Sequence, residues 1–232
     1  MATFGIITFP GSNCDHDAYH ALKHVMNCEV KFLWHKETDL SGIDFLILPG
    51  GYSYGDYLRT GAIAQFSPIM QEVRKFADKG GPILGICNGF QILLEARLIP
   101  GAMLHNKDLR HVCKDIYMRC ETTDTLFTSS LQKNQIFKIP VSHGEGNYHI
   151  GEDGLKLLQD NDQIAFRYCD ASGELTDEAN FNGSLSHIAG VLNENKNILG
   201  MMPHPERAME ELLGSVDGKA IFESILNSLS VA

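Results

Sequence analysis

Read from the N-terminus, short apolar runs alternate with stretches whose apolar residues recur every three to four positions. TFGIITF (3–9), VKFLW (30–34), DFLILPG (44–50) and PILGI (82–86) have the length of strands, while 14–27, 62–79 and 89–98 carry the helical period. Strands interleaved with helices in this way specify βαβ units, because parallel strands need a crossover to return the chain. FLIL and PILGI are apolar at consecutive positions, as inner strands are when helices cover both faces of the sheet. The first hundred residues are therefore expected to form an α/β, doubly wound, mostly parallel open sheet of flavodoxin-like type.

Beyond residue 100 the pattern loosens. KDIYMRC (114–120) and IFKIPVSH (136–143) read as strands separated by a polar, Thr/Ser/Gln/Asn-rich stretch at 121–135, which suggests a strand-rich extension. HIAGVLNE and NILGMMP flank Asn195-Lys196-Asn197 as a hairpin, and AIFESILNSL reads as a closing helix. No repeat, low-complexity tract or linker interrupts the chain, so residues 1–232 are expected to form one domain.

The formal net charge is −10, with no Lys/Arg cluster to reverse it locally, which argues against a nucleic-acid partner. No apolar run approaches the ~18 residues of a bilayer span, and MATFGIITFPG lacks the basic-then-apolar order of a signal peptide. A cytoplasmic protein with no membrane partner is the expectation. Six cysteines, at 14, 28, 87, 113, 120 and 169, form no C-x-x-C pair, which points to reduced thiols rather than disulfides or a metal site. Neither GxxxxGK[ST] nor GxGxxG occurs, so phosphate cradling by either motif finds no support.

One stretch carries chemistry. Gly85-Ile86-Cys87-Asn88-Gly89 follows the run PILGI at a predicted strand-to-helix junction and has the form of a nucleophile elbow, in which glycines admit a sharp turn that lifts the central side chain clear of the sheet. A buried structural cysteine in a tight turn is the competing reading. A thiol of pKa ~8.5 must drop about two units to be mostly thiolate at neutral pH, or ~2.7 kcal/mol. A helix N-terminus supplies typically ~0.3 to 1 kcal/mol. A histidine must contribute the rest, itself oriented by a carboxylate or amide.

Two histidines fit that need, each with a glutamate two positions on: His143 in SHGEG and His204 in MMPHPER. The prolines around His204 fix φ and make a stiff platform for His204 and Glu206, whereas the glycines around His143 suit ligand contact. This favours His204, with His143 still in competition. His16, His20 and His24 share one helix face but lack the Glu or Cys that completes a zinc motif, so they read as a solvated face. Oxyanion donors are expected from the Asn88 backbone N–H and from the Gly50-Gly51 loop after strand 45–48, at the carboxyl edge of the sheet.

Taken together, GSNCD (11–15), PGGYSYGDYLR (49–59), GICNGFQIL (85–93), SHGEG (142–146) and MMPHPERA (201–208) resemble a class I, triad-type glutamine amidotransferase, specifically the glutaminase subunits (PurQ) of phosphoribosylformylglycinamidine synthase. The resemblance spans most of the chain and implies Cys87 as nucleophile, His204 as general acid/base and Glu206 as its orienting carboxylate. It further implies that Gln91 and the loop at Gly50 and Gly51 line the L-glutamine pocket, with His143 and Glu145 as secondary binding or interface residues; the oxyanion donors of the mechanism expected here are the Gly51 and Asn88 amides. His16 departs from it, since an arginine is expected after Asn-Cys-Asp. The implied partners are an ATP-dependent synthetase subunit, PurL, and a small subunit, PurS. This chain itself is expected to hold no cofactor, with ATP and magnesium in the partner. YSYGDYLRTG offers aromatics and an arginine for part of that contact. The competing functions are a DJ-1/PfpI-like or γ-glutamyl hydrolase on the same scaffold, and a catalytically silent regulatory subunit.

Overall fold

The computed structural model describes residues 2–231. Its parallel half begins with β1 (Thr3–Thr8), α1 (Asp15–Tyr19), β2 (Glu29–Trp34) and β3 (Phe45–Leu48), then α2 (Ile69–Asp78), β4 (Ile83–Ile86) and α3 (Asn88–Glu95). The remainder contains β5 (Ala102–Leu104), β6 (Val112–Cys120), β7 (Ile136–His143), β8 (Asn147–His149), α4 (Glu152–Asp160) and β9 (Ile164–Cys169). It closes with β10 (Ile188–Leu192), β11 (Ile198–Met201) and α5 (Gly218–Val231).

Nine strands form one sheet in the order β2-β1-β3-β4-β11-β10-β9-β6-β7, and β5 pairs with β8 apart from it. The run from β2 to β11 is parallel, and β10, β9, β6 and β7 extend it antiparallel. The expected α/β class, parallel start and strand-rich extension are all present. β3, β4 and β11 are buried at every position, which explains why their sequences carry no polar alternation. The β10–β11 hairpin turns through Lys196 at φ 53°, with Asn193 Oδ1 accepting the Ile198 N–H at 2.9 Å.

Three elements differ from the pattern. The helix expected over 62–79 starts only at Ile69, because Pro68 has no N–H to continue a ladder and holds Ser67 extended at ψ 143°. The helix expected over 14–27 is α-helical to Tyr19 and continues as a π-helix over His20–Val25. β5, β8, α4 and β9 were not anticipated.

Although β7 stands at the far end of the strand order from β4, the Ser142 carbonyl in β7 lies 3.6 Å from Cys87 Sγ, at the carboxyl end of β4. The His204 N–H, just past β11, donates to the Pro140 carbonyl in β7 at 2.9 Å. The antiparallel half thus bends back over the carboxyl edge of the parallel half. Pro140 fits this edge strand, where its missing N–H leaves no neighbour unpaired.

Candidate active site

Cys87 stands alone between β4 and α3 at φ 49°, ψ −106°, a conformation that costs a non-glycine residue about 1–3 kcal/mol. Its N–H donates to the Met201 carbonyl at 2.8 Å, tying the bend to β11. The glycines around it are needed for close approach: a Cβ on Gly89 would collide with the Leu48 carbonyl oxygen, and one on Gly85 would sit 2.9 Å from the Gly89 backbone. The elbow expected from sequence is formed.

His204 follows β11 between two prolines, and its Nδ1 lies 2.6 Å from Glu206 Oε1. Contact with a carboxylate places the ring proton on Nδ1 and leaves Nε2 free on the opposite edge of the buried ring. Burial pulls the imidazole pKa down, but the charges of Glu206 and Cys87 outweigh it and hold the value well above ordinary. No well-aligned hydrogen bond joins Nε2 to the sulfur. Their coupling is electrostatic, and loose geometry of this kind is ordinary for an empty nucleophile–base pair.

His143 is equally buried but meets an amide instead of a carboxylate: its Nδ1 lies 3.0 Å from Asn106 Oδ1. Burial, reinforced by the charges of His204 and His111, pushes its pKa down to about 3. An imidazole this reluctant to hold a proton is a poor general base at neutral pH.

The glycine loop passes directly behind the triad. A Cβ on Gly50 would lie 2.8 Å from His204 Cε1, and Gly51, at φ 128°, bridges to Ser12. The backbone N–H of Asn88 belongs to the first turn of α3, where no intrahelical acceptor exists. The Asn88 side chain fastens the loop: Oδ1 accepts the Ser53 N–H at 3.1 Å, and Nδ2 donates to Asp56 Oδ1 at 3.2 Å and to Gln91 Oε1 at 3.0 Å. Gln91 in turn donates to the Glu145 carbonyl at 2.6 Å. Its amide is thus committed to holding the 143–146 loop over α3, and Gln91 shapes a pocket by that tether. Glu145 accepts from Thr60 Oγ1 at 2.9 Å. Partial burial, with the Glu145 charge nearby, raises Asp56 to about 6.

Cys14, Asn106, Asp56 and Arg207 also belong to this site and were not singled out from the sequence. Cys14, His204 and Glu206 bring donor atoms within 4.8 Å of one another. His204 and Glu206 are bonded to each other, however, and Arg207 Nη2 donates to Cys14 Sγ at 3.0 Å, so a cation there would face a guanidinium. His16 is exposed against Asp15, and the rings of His20 and His24 lie 5.5 Å apart, with His20 held to Glu210 at 2.7 Å and His24 edge-on to Tyr19. A cavity of about 770 Å³ lies near the ends of α3 and α4 and the β10–β11 turn, and Cys87, His204 and Glu206 do not line it.

Residues 2–223 match the family described as CobB/CobQ-like glutamine amidotransferase domain. The chain is 56% identical over 230 residues to the phosphoribosylformylglycinamidine synthase subunit PurQ of Salinibacter ruber, covering 99% of this chain and 98% of that one. It is 54% identical to the same subunit of Koribacter versatilis, covering 98% of each. The chain belongs to the PurQ family of glutamine amidotransferases. A solved PurLQS structure from Thermotoga maritima contains a chain similar to this PurQ family member, with TM-score 0.87 and 43% identity over 98% of this chain and 99% of that one. Likeness to a second Thermotoga maritima structure, described as a glutamine amidotransferase, extends to the fold alone, at 14% identity and TM-score 0.58 over 99% of this chain and 84% of that one. PurQ membership sets aside the DJ-1/PfpI-like and γ-glutamyl hydrolase alternatives.

Proposed function

We propose that the chain is the glutaminase subunit of a phosphoribosylformylglycinamidine synthase, a single amidotransferase domain that hydrolyses L-glutamine and hands the ammonia to an ATP-dependent synthetase. The observation that carries this reading is the buried His204–Glu206 pair, 2.6 Å apart, beside a cysteine raised on a strained elbow.

Cys87 thiolate attacks the side-chain amide carbon of glutamine, and the oxyanion is met by the N–H groups of Gly51 and Asn88. The His204 imidazolium then donates its Nε2 proton to the departing nitrogen as the C–N bond breaks, leaving ammonia and a γ-glutamyl thioester. Water attacks the thioester, His204 Nε2 takes a proton from it, and the C–S bond breaks to release glutamate and regenerate the thiolate. Glu206 stays ionised throughout and keeps the imidazole in the Nδ1-protonated form.

The Salinibacter ruber relative is named for its place in the synthase and the Thermotoga maritima structure is named PurLQS, which supports PurL and PurS as partners here. In this reading ATP and magnesium act in PurL, and this chain holds no cofactor of its own. No helix among the described residues is long and apolar enough to cross a membrane, in keeping with a cytoplasmic assembly. Tyr52, Tyr57 and Leu58 are exposed on the loop that Asn88 fastens, and we place part of the PurL contact there. Glutaminase activity is low until that contact forms, which keeps ammonia from being wasted.

The deciding experiment is Cys87→Ala in the reconstituted complex. Glutamine-supported synthesis is expected to fall at least ~1000-fold while synthesis from added ammonium salt survives. A variant equally inactive with ammonium overturns the proposal.

A further inference from the structure

Asn106 fixes the protonation of His143. Its Nδ2 donates to two carbonyls, Arg110 O at 2.8 Å and His143 O at 2.9 Å, so the orientation of the amide is set. Asn106 Oδ1 then accepts the Gly146 N–H at 3.0 Å and faces His143 Nδ1 at the same distance, which requires the proton on Nδ1. Nε2 is left as a bare acceptor. It is buried, and no described residue donates to it. A buried acceptor without a donor costs about 1–3 kcal/mol and calls for an explanation.

The position of the ring supplies one. Ser142, the preceding residue, presents its carbonyl 3.6 Å from Cys87 Sγ. The Ser142 hydroxyl turns the other way, to His111 at 3.1 Å, so the alternation of β7 carries the His143 side chain inward. There it lies 5.7 Å from the Phe181 ring, which in turn packs edge-on to Tyr168. Its neighbours there are aromatic, and the charge of His204 is felt at the ring.

We propose that His143 Nε2 is a binding group of the glutaminase site: it accepts an N–H from the carboxamide nitrogen of glutamine and then from the ammonia that this nitrogen becomes. Asn106 is the positioning residue that keeps the acceptor bare. The inference rests on the glutaminase reading above and adds a named contact to it. Chemistry favours this ring for the task. Ammonia is useful to a synthetase only unprotonated, and an imidazole whose pKa is driven down to about 3 by burial and by His204 and His111 has no proton at Nε2 to give it. The amide nitrogen and ammonia both carry N–H donors, so the lone pair holds them, whereas a protonated ring would face the amide donor to donor and would protonate the ammonia.

The test compares His143→Leu, which removes the acceptor, with His143→Gln, whose carbonyl can replace it, in the complete complex. The readout is kcat/KM for glutamine divided by the rate supported by ammonium salt. The Leu variant is expected to lose about 10- to 100-fold, the Gln variant to stay within about 3-fold of the parent, and Asn106→Ala to fall toward the Leu value. A Leu variant within 2-fold of the parent overturns the inference, as do Leu and Gln variants that decline equally and in step with melting temperature. Should the Leu variant fail to fold, ¹⁵N-histidine spectra of the Cys87→Ala protein serve instead. The His143 Nε2 resonance is expected to move upfield at saturating glutamine, and an unmoved resonance overturns the contact. Survival of glutamine use in Cys87→Ala would sink the glutaminase reading itself, a separate outcome from any of these.

Discussion

His204 Nδ1 and Glu206 Oε1 stand 2.6 Å apart, and neither side chain is more than 2% exposed. Water cannot screen the pair, so the carboxylate decides both the tautomer of the ring and its affinity for a proton. Replacing the carboxylate by an amide alters the charge while keeping the shape.

Glu206→Gln is therefore expected to lower glutamine-supported turnover by about 1000-fold or more, by analogy of role with the triad aspartate. A pH signature accompanies the loss. The folded-state pKa of His204 lies above its unfolded value, so the pair stabilises the protein fully below about pH 6.5 and loses that contribution as pH rises through the folded value. Urea unfolding at stepped pH should show a parent whose stability declines on the alkaline side, and a Gln variant with a smaller decline over the same interval.

Asp56 slopes in the same direction, but as a penalty on its ionised form and in a more acidic window. A carboxyl raised to about 6 is penalised for ionising in the folded state, so stability falls as pH rises from about 4 to about 6 and the cost persists at neutrality. Asp56→Asn should stabilise the protein at pH 7 by about 1 kcal/mol, a figure already reduced for the group's partial exposure, and by almost nothing near pH 4. Melting temperatures at the two pH values check this.

Gly50 and Gly89 separate activity from stability. A methyl on Gly50 meets His204 Cε1 at 2.8 Å, so Gly50→Ala should cut turnover by about 10- to 100-fold with a modest change in melting temperature. A methyl on Gly89 runs into the Leu48 carbonyl, a backbone group that cannot swing aside, and Gly89→Ala should destabilise the fold by about 3 kcal/mol. Steady-state kinetics and chemical denaturation of the two variants provide the comparison.

The thiols should divide by shape as well as by reactivity. A glutamine-like diazo-ketone is expected to modify one cysteine per chain and none in Cys87→Ser, as read by intact-mass spectrometry. Iodoacetamide should also reach Cys113, which is exposed. Cys120 and Cys169 are buried, with pKa values raised to about 12 and about 11, chiefly by that burial, and should resist both reagents. A Cys87 that ignores the diazo-ketone would favour a catalytically silent role.

The parallel half was legible because burial on both faces leaves consecutive apolar residues, and the elbow because close backbone approach admits only glycine. Other elements left weaker marks. β9 carries Arg167 in its middle, bound to Ser186 and paired with Glu121, and its register with β10 shifts between Ile188 and Gly190. α4 buries only Leu158, so its apolar stripe is thin. β5 and β8 span three residues each, too short for a period. Within the site, two prolines and a glutamate advertised His204, while Asn106 is an isolated polar residue whose contacts with His143 and Gly146 span 37 and 40 positions. Local patterns cannot encode such a contact.

The pairing of β4 with β11 sets Ile86 beside Met201, so the strand that tethers Cys87 is translated well after the elbow itself. A nascent polypeptide can expose the thiol on a ribosome while still lacking its base, its carboxylate and the carbonyl that fixes the bend. An unfinished copy is therefore chemically idle, and the cell is spared a stray source of ammonia during synthesis.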